Sequence, residues 1–314
     1  MASPRTGRAA AGRSLRAALA WQAIPVVFVL IWSTGFIVAR FVVPNAPPLT
    51  FLSMRYALSA LCFALWIGVT RAAWPVGRAQ WLHLGVTGVL LHAAYMGGVW
   101  VAVKAGMGAG VVALLVGLQP MLTAIWISRG PGAHRQHAVS RRQWLGLALG
   151  LFGLALVVWR KLGSGEITAW NLAMAGVALF GITAGTLYQK RFVAPCDVRT
   201  ANTVQLLAAL IVSLPFAFLE SGTIPWDQTH VLAMVWSVLG LTLAGTSLLY
   251  MLIQQGALTR VTGLLYLVPP VTAVLAWALF GESLTALMLL GMALVALGVT
   301  LVVKAPALVG QAAD

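Results

Sequence analysis

Apolar runs of about 20 residues, separated by short polar breaks, occupy most of the chain, and a helix of that length crosses roughly 30 Å of hydrocarbon. Ten such runs can be marked, at about 22–41, 49–70, 82–103, 107–128, 143–159, 170–189, 200–220, 231–254, 260–280 and 284–303. Each predicts a membrane-spanning helix. The first follows Arg5, Arg8, Arg13 and Arg16, as a secretory leader would. Its apolar stretch from Trp21 to Val43 is too long for a leader core, and no small-x-small site follows. It is read as a retained span. The expected fold is an all-α membrane protein with ten transmembrane helices.

Composition strengthens this picture. Apolar residues make up 61% of the chain and charged residues 8%, against roughly 25% charged in soluble domains. So few charges cannot solvate the surface, so most of it must face lipid. The net charge of +14 would suit a polyanion, but its distribution argues against nucleic acid. With the N-terminus inside, fifteen Lys and Arg fall on the cytoplasmic side, and only Arg40, Lys104, Arg160 and Lys161 fall outside. That asymmetry predicts both termini in the cytoplasm. Cys62 lies within a span and Cys196 in a loop, so neither a bridge nor a zinc site is expected.

The chain is also written twice. "RFVVP" (40–44) returns as "RFVAP" (191–195), "PMLTA" (120–124) as "PPVTA" (269–273), and "LGLALGLFGLALVV" (145–158) as "LGMALVALGVTLVV" (290–303). The separations are 151, 149 and 145 residues, in the same order. The divisions that follow are a basic cytoplasmic tail (1–21), a first five-helix repeat (22–159), a second (170–303) and a cytoplasmic tail (304–314). Five is an odd number, so the second repeat enters the membrane from the opposite side. Inverted repeats of this kind are a recurring transporter architecture, with the substrate site near the midplane between the halves.

Candidate site residues are the polar and aromatic groups inside spans. Arg55 sits about two turns into the second span. A charge at that depth needs a partner or a purpose. Two roles stand open: holding a substrate carboxylate, or snorkelling to the outer surface and capping carbonyls near the Pro44–Pro48 turn. Trp32, Tyr95, Trp100, Tyr188, Tyr250 and Tyr266 form an aromatic set suited to amphiphilic molecules, with Trp100 and Tyr250 at matching positions in the two repeats. His92 can titrate near neutral pH. Gln119 is costly in lipid, and Pro120 beside it frees a carbonyl; the Pro269–Pro270 pair is expected to break the ninth span in the same way. Glycines at Gly146–Gly150 and Gly106–Gly110 are expected at helix contacts. No Asp or Glu lies deep in a span: Glu220 and Glu282 stand at span ends. A Walker A sequence, HExxH and a plausible GxSxG triad are absent, so neither ATP nor hydrolytic chemistry is indicated and no cofactor is expected.

"IWSTGF" (31–36), "PPLTFLSMRYALSA" (47–60), "GLQPMLTA" (117–124) and "LVPPVTAVLAWALFGESLT" (267–285) resemble the EamA-type transporters of the drug/metabolite transporter superfamily. The resemblance covers about residues 22–303. That family usually carries an acidic residue between the fourth and fifth helices of each half; Glu282 supplies it in the second, while the first has none. The resemblance implies a bacterial inner-membrane exporter of small amphiphilic metabolites, amino acids above all, working by alternating access. A proton is the candidate coupling ion, and the lipid bilayer and a small molecule are the expected partners. A lipid-handling scaffold or flippase is the alternative. An intramembrane enzyme would need a metal-ligand set or a pair of acids, and the spans offer neither.

Overall fold

The computed structural model describes residues 24–129, 141–162, 165–248 and 267–303. Among the described residues there are helices and connecting turns and no strands. In chain order the helices are α1 (Ile24–Val42), α2 (Pro48–Thr70), α3 (Arg78–Lys104), α4 (Ala109–Val116), α5 (Gln119–Arg129), α6 (Arg141–Leu162), α7 (Ala169–Phe192), α8 (Val198–Leu219), α9 (Gln228–Leu248), α10 (Val268–Phe280) and α11 (Ala286–Val303). Among the described residues, α1, α2, α3, α7, α8 and α9 are long and apolar enough to cross a membrane. Shorter apolar helices occupy 109–123, 144–157, 268–280 and 286–301. The tails 1–21 and 304–314, the end of the eighth expected span and the start of the ninth lie outside the described residues.

Local sequence explains most helix ends. Thr168 opens α7 with a capping box: its hydroxyl accepts from Asn171 N–H while the Asn171 side chain accepts from Thr168 N–H. Asp197 and Asp227 cap α8 and α9 by accepting from the backbone N–H of Arg199 and His230. Gly281, in the left-handed conformation at φ 66°, closes α10.

Both proline sites open a helix. The fourth expected span lapses at Gly117–Leu118, and Gln119–Pro120 then opens α5. Pro269–Pro270 stands in the first turn of α10, where a missing N–H and a fixed φ cost nothing. The pair starts α10 within the ninth expected span, whose earlier part lies outside the described residues.

Lipid offers no hydrophobic force to join helices, so close packing must do it. Helix α6 lies along α11, α2 along α8, α3 against α7 and α8, and α4 against α10. In the α6–α11 pair, a Cβ on Gly153 would stand 2.6 Å from the Gly291 carbonyl, and one on Gly298 would collide with Gly146. Gly98 and Gly181 do the same for α3 and α7. The expected Gly106 contact is not found: Gly106 has open space around it and turns the chain at φ 94°. Gly110 does meet Ala273 of α10.

Two helices contain an over-wide turn that the sequence reading did not foresee. Residues Val89–Ala94 of α3 and Trp236–Ala244 of α9 are π-helical, with Tyr95 N–H reaching Leu90 O and Gly245 N–H reaching Gly240 O. Such turns often mark functional sites.

Candidate functional site

Adjacent residues of α2 reach into both π-helical turns. The Tyr56 hydroxyl donates to the His92 carbonyl at 2.8 Å, in the turn of α3. Arg55 donates from Nε and Nη2 to Thr242 Oγ1 at 3.3 and 3.1 Å, in the turn of α9. The Thr242 hydroxyl is itself directed by donating to Ser237 O, five residues back. In each wide turn a backbone carbonyl accepts a side-chain hydroxyl.

Arg55 is 5% exposed. Its Nη1 is buried without a hydrogen-bond partner, and every acid of the described residues stands at a helix end or in a loop. Thr242 lies about 20 Å along α9 from its first residue at 1.5 Å per residue, so the guanidinium is held well inside the bundle and does not snorkel outward. The carbonyls of the Pro44 turn are instead met by Lys104, whose Nζ donates to Val43 O and Pro44 O. A buried guanidinium lacking an acid and with one nitrogen unsatisfied is a strong potential anion ligand.

The other expected residues divide into three groups. His92 and Tyr95 are half-buried on α3 beside this centre. The His92 ring packs edge-on to Tyr56 at 6.0 Å, and the Tyr56 and Tyr95 phenols lie close enough to Arg55 to interact with it electrostatically. Trp32 is half-buried on α1, tilted against Phe28 at 5.3 Å and facing Gly245 of α9. Gln119 opens α5 and donates to Thr186 Oγ1 of α7 at 3.2 Å.

Two residues sit elsewhere. Trp100 is 1% exposed and stacked on Phe51 at 5.1 Å, inside the packed core. It fills space between α3 and α2. Tyr188 stands near the C-terminal end of α7, its hydroxyl 2.9 Å from His83 Nδ1 and its ring against Phe192. Tyr250 and Tyr266 lie outside the described residues.

Sequence reasoning missed Tyr56 and Thr242, and passed over Gln205 as a site residue. A signal was available. Residues 55 and 205 are 150 apart, and so are 92 and 242, the same separation as Trp100 and Tyr250. Arg55 meets Thr242, and Gln205 packs on α3 at Gly88, one turn before His92. Gln205 comes close because α8 lies directly on Gly88, where any Cβ would strike the Gln205 backbone.

An all-helical bundle with apolar spans and a polar, cation-bearing centre is consistent with a membrane protein. The profile of the EamA-like transporter family matches residues 20–159 and again 168–304, and the chain belongs to that family. It is similar to a "probable amino-acid metabolite efflux pump" of Escherichia coli K12, at 25% identity over 88% of this chain and 92% of that one, and to its Salmonella typhimurium counterpart at the same identity and coverage. It is also similar, at 24% identity over 87% of each chain, to the E. coli inner membrane transporter YedA, whose function is uncharacterized. A solved crystal structure superposes with a TM-score of 0.60 over 90% of this chain and 96% of its own; at 16% identity it speaks for the fold alone.

Proposed function

We propose that this protein is a bacterial inner-membrane exporter of small amphiphilic metabolites, with amino acids the leading class. It works by alternating access between two inverted five-helix halves, both termini lying in the cytoplasm. The observation that carries the substrate class is Arg55: a buried guanidinium with a free nitrogen, bordered by Tyr56, His92 and Tyr95. A carboxylate would satisfy Nη1 and neutralise the charge, while the surrounding rings receive an apolar side chain. Trp32 and Gln119 are proposed as further walls of the same cavity.

Several features support the inverted arrangement. The family profile matches two consecutive stretches. The contacts Arg55–Thr242 and Gln205–Gly88 run from each half into the other. Helices α2 with α8 and α6 with α11 are packed pairs, as expected where symmetry mates meet on a two-fold axis in the membrane plane. The orientation rests on the excess of Lys and Arg at one end. Export is driven by the substrate gradient or by proton counterflow.

The test is transport in proteoliposomes loaded with mixed amino acids and metabolites, comparing wild type with Arg55→Lys. Lysine keeps the charge but loses the planar two-pronged donor. The variant is expected to insert normally and lose about tenfold in transport of carboxylate-bearing substrates, the order of one charge-assisted hydrogen bond, while sparing analogues that lack the carboxylate. Equal transport by the two proteins at matched expression would remove Arg55 from the site.

A further inference from the structure

Two carboxylates away from this centre have an unusual task. The N-terminus of α2 begins with Pro47 at the cap position, and that of α4 with Gly108; neither residue offers a side-chain cap. The first N–H groups of these helices are orphaned by their own sequence. In both cases a glutamate from the second half of the chain supplies the acceptor. Glu220, at the C-terminal end of α8, accepts from Leu49 N–H at 2.9 Å, Thr50 N–H at 2.8 Å and the Thr50 hydroxyl at 2.9 Å. Glu282, just past the end of α10, accepts from Ala109 N–H at 3.0 Å and stands 3.7 Å from Arg40 Nε, at the end of α1.

We propose that Glu220 and Glu282 are positioning residues of the transport cycle: two clasps that hold this end of the bundle shut by joining one half to the other. In the orientation given above this is the outer end, and the inference rests on that orientation for the word outer alone. The clasps are unequal. Glu220 is held by three hydrogen bonds through both oxygens. Glu282 uses only Oε1, and its Oε2 is buried without a partner, so it is the one poised to release. Gly108 is part of the fit, since a Cβ there would stand 2.7 Å from Glu282 Oε2. Around the clasps the end is sealed: all eight residues of α4 are buried, Met107 is fully buried, and Phe41 packs edge-on to Phe280 at 4.6 Å. An exporter closed in this way rests with its site accessible from the opposite, cytoplasmic end, where its cargo is.

The experiment reads accessibility and needs no known substrate. In a Cys62→Ser/Cys196→Ser background, Met107→Cys reports on the clasped end and Thr186→Cys on the other, each labelled with a membrane-impermeant maleimide applied to the side that reporter faces. Glu282→Ala is expected to raise the labelling rate at Met107→Cys about tenfold and to lower that at Thr186→Cys, as a shift of one two-state equilibrium requires. Glu282→Gln and Gly108→Ala should act in the same direction more weakly, and they carry the test if the alanine variant fails to fold. Unchanged labelling at both positions in a folded variant overturns the clasp, as does a rise at both, which would mean general loosening. Failure of amino-acid transport by wild type would instead count against the substrate reading and leave these rates as they are.

Discussion

The two ends of the bundle differ in that one has helix caps supplied across the halves. At one end, α2 and α4 are capped by Glu220 and Glu282, 171 residues from Leu49 and 173 from Ala109. At the other end, α8 is capped by Asp197, its immediate neighbour, which also holds Arg199 at 2.7 Å. There the halves meet through neutral groups: Gln80 exchanges hydrogen bonds with the Ala194 backbone, and Thr200 donates to Ala73 O. A local cap survives any rearrangement of the halves because it moves with its helix. A cap supplied by the other half is lost when the halves separate. The lesson is that capping chemistry, usually a matter of helix stability, can report which end of a two-state bundle is locked.

The sharpest break of this comparison would come from the element shared by both ends. Helices α6 and α11 run side by side with glycine backbones in contact, so Gly153→Leu must push them apart. Overpacking costs about 1–3 kcal/mol where side chains can yield, and the Gly291 carbonyl cannot. The expected outcome is a large fall in thermal stability in detergent, with labelling at both ends rising together. If only one end responded, the spine would belong to one clasp and the ends would not be independent.

Next in size is a direct contrast of cap types. Glu220→Ala orphans the Leu49 and Thr50 N–H groups, while the Thr50 hydroxyl keeps Ala217 O at 3.3 Å; a buried group left unsatisfied costs about 1–3 kcal/mol. Asp227→Ala removes a local, exposed cap of α9 on the same side of the bundle, worth about 1 kcal/mol. The first is expected to change both melting temperature and labelling at Met107→Cys, the second melting temperature alone. Equal effects on labelling would erase the distinction between the two kinds of cap.

The smallest expected effect is a pH dependence at the opposite end. Hydrogen bonds from the Arg199 side chain hold the Asp197 carboxyl below its usual value of 3.8, against a smaller opposing effect of burial. A lowered folded value means that the stabilisation is fully present above the unfolded value and is lost only as pH falls through the folded one. Melting temperature should therefore not vary with pH through this group between pH 5 and 8, and Asp197→Asn should narrow the acid loss below roughly pH 4, the ordinary carboxylate range. A change in the neutral range would mean that Asp197 senses something besides its own helix.

Much of the fold was legible because it rests on local patterns. Apolar runs located the six helices that, among the described residues, are long enough to cross a membrane and the shorter apolar helices beside them, since lipid tolerates little else, and the Gly146–Gly150 spacing marked a close helix contact. Arg55 stood out because a charge within a span is costly wherever it points. The misreadings share one cause. Trp100 looked like a cavity wall, yet it stacks on Phe51; Gly106 looked like a contact and turns the chain. Residue type signals that a position is special without saying which neighbour makes it so.

The sequence by itself determined that this chain is built for lipid, that it repeats at close to 150 residues, and that its second span holds an arginine with no acid deep in any span. These follow from hydropathy, periodicity and the scarcity of charge, which need no partner to be true. Only the tertiary structure decided that the Arg55 guanidinium points inward to Thr242, that α3 and α9 each carry a wide turn, and that Glu220 and Glu282 cap helices of the other half. Each of these is a contact between residues far apart in the chain or a turn stabilised by one. Local propensity is silent about them, because their geometry exists only once the helices have packed.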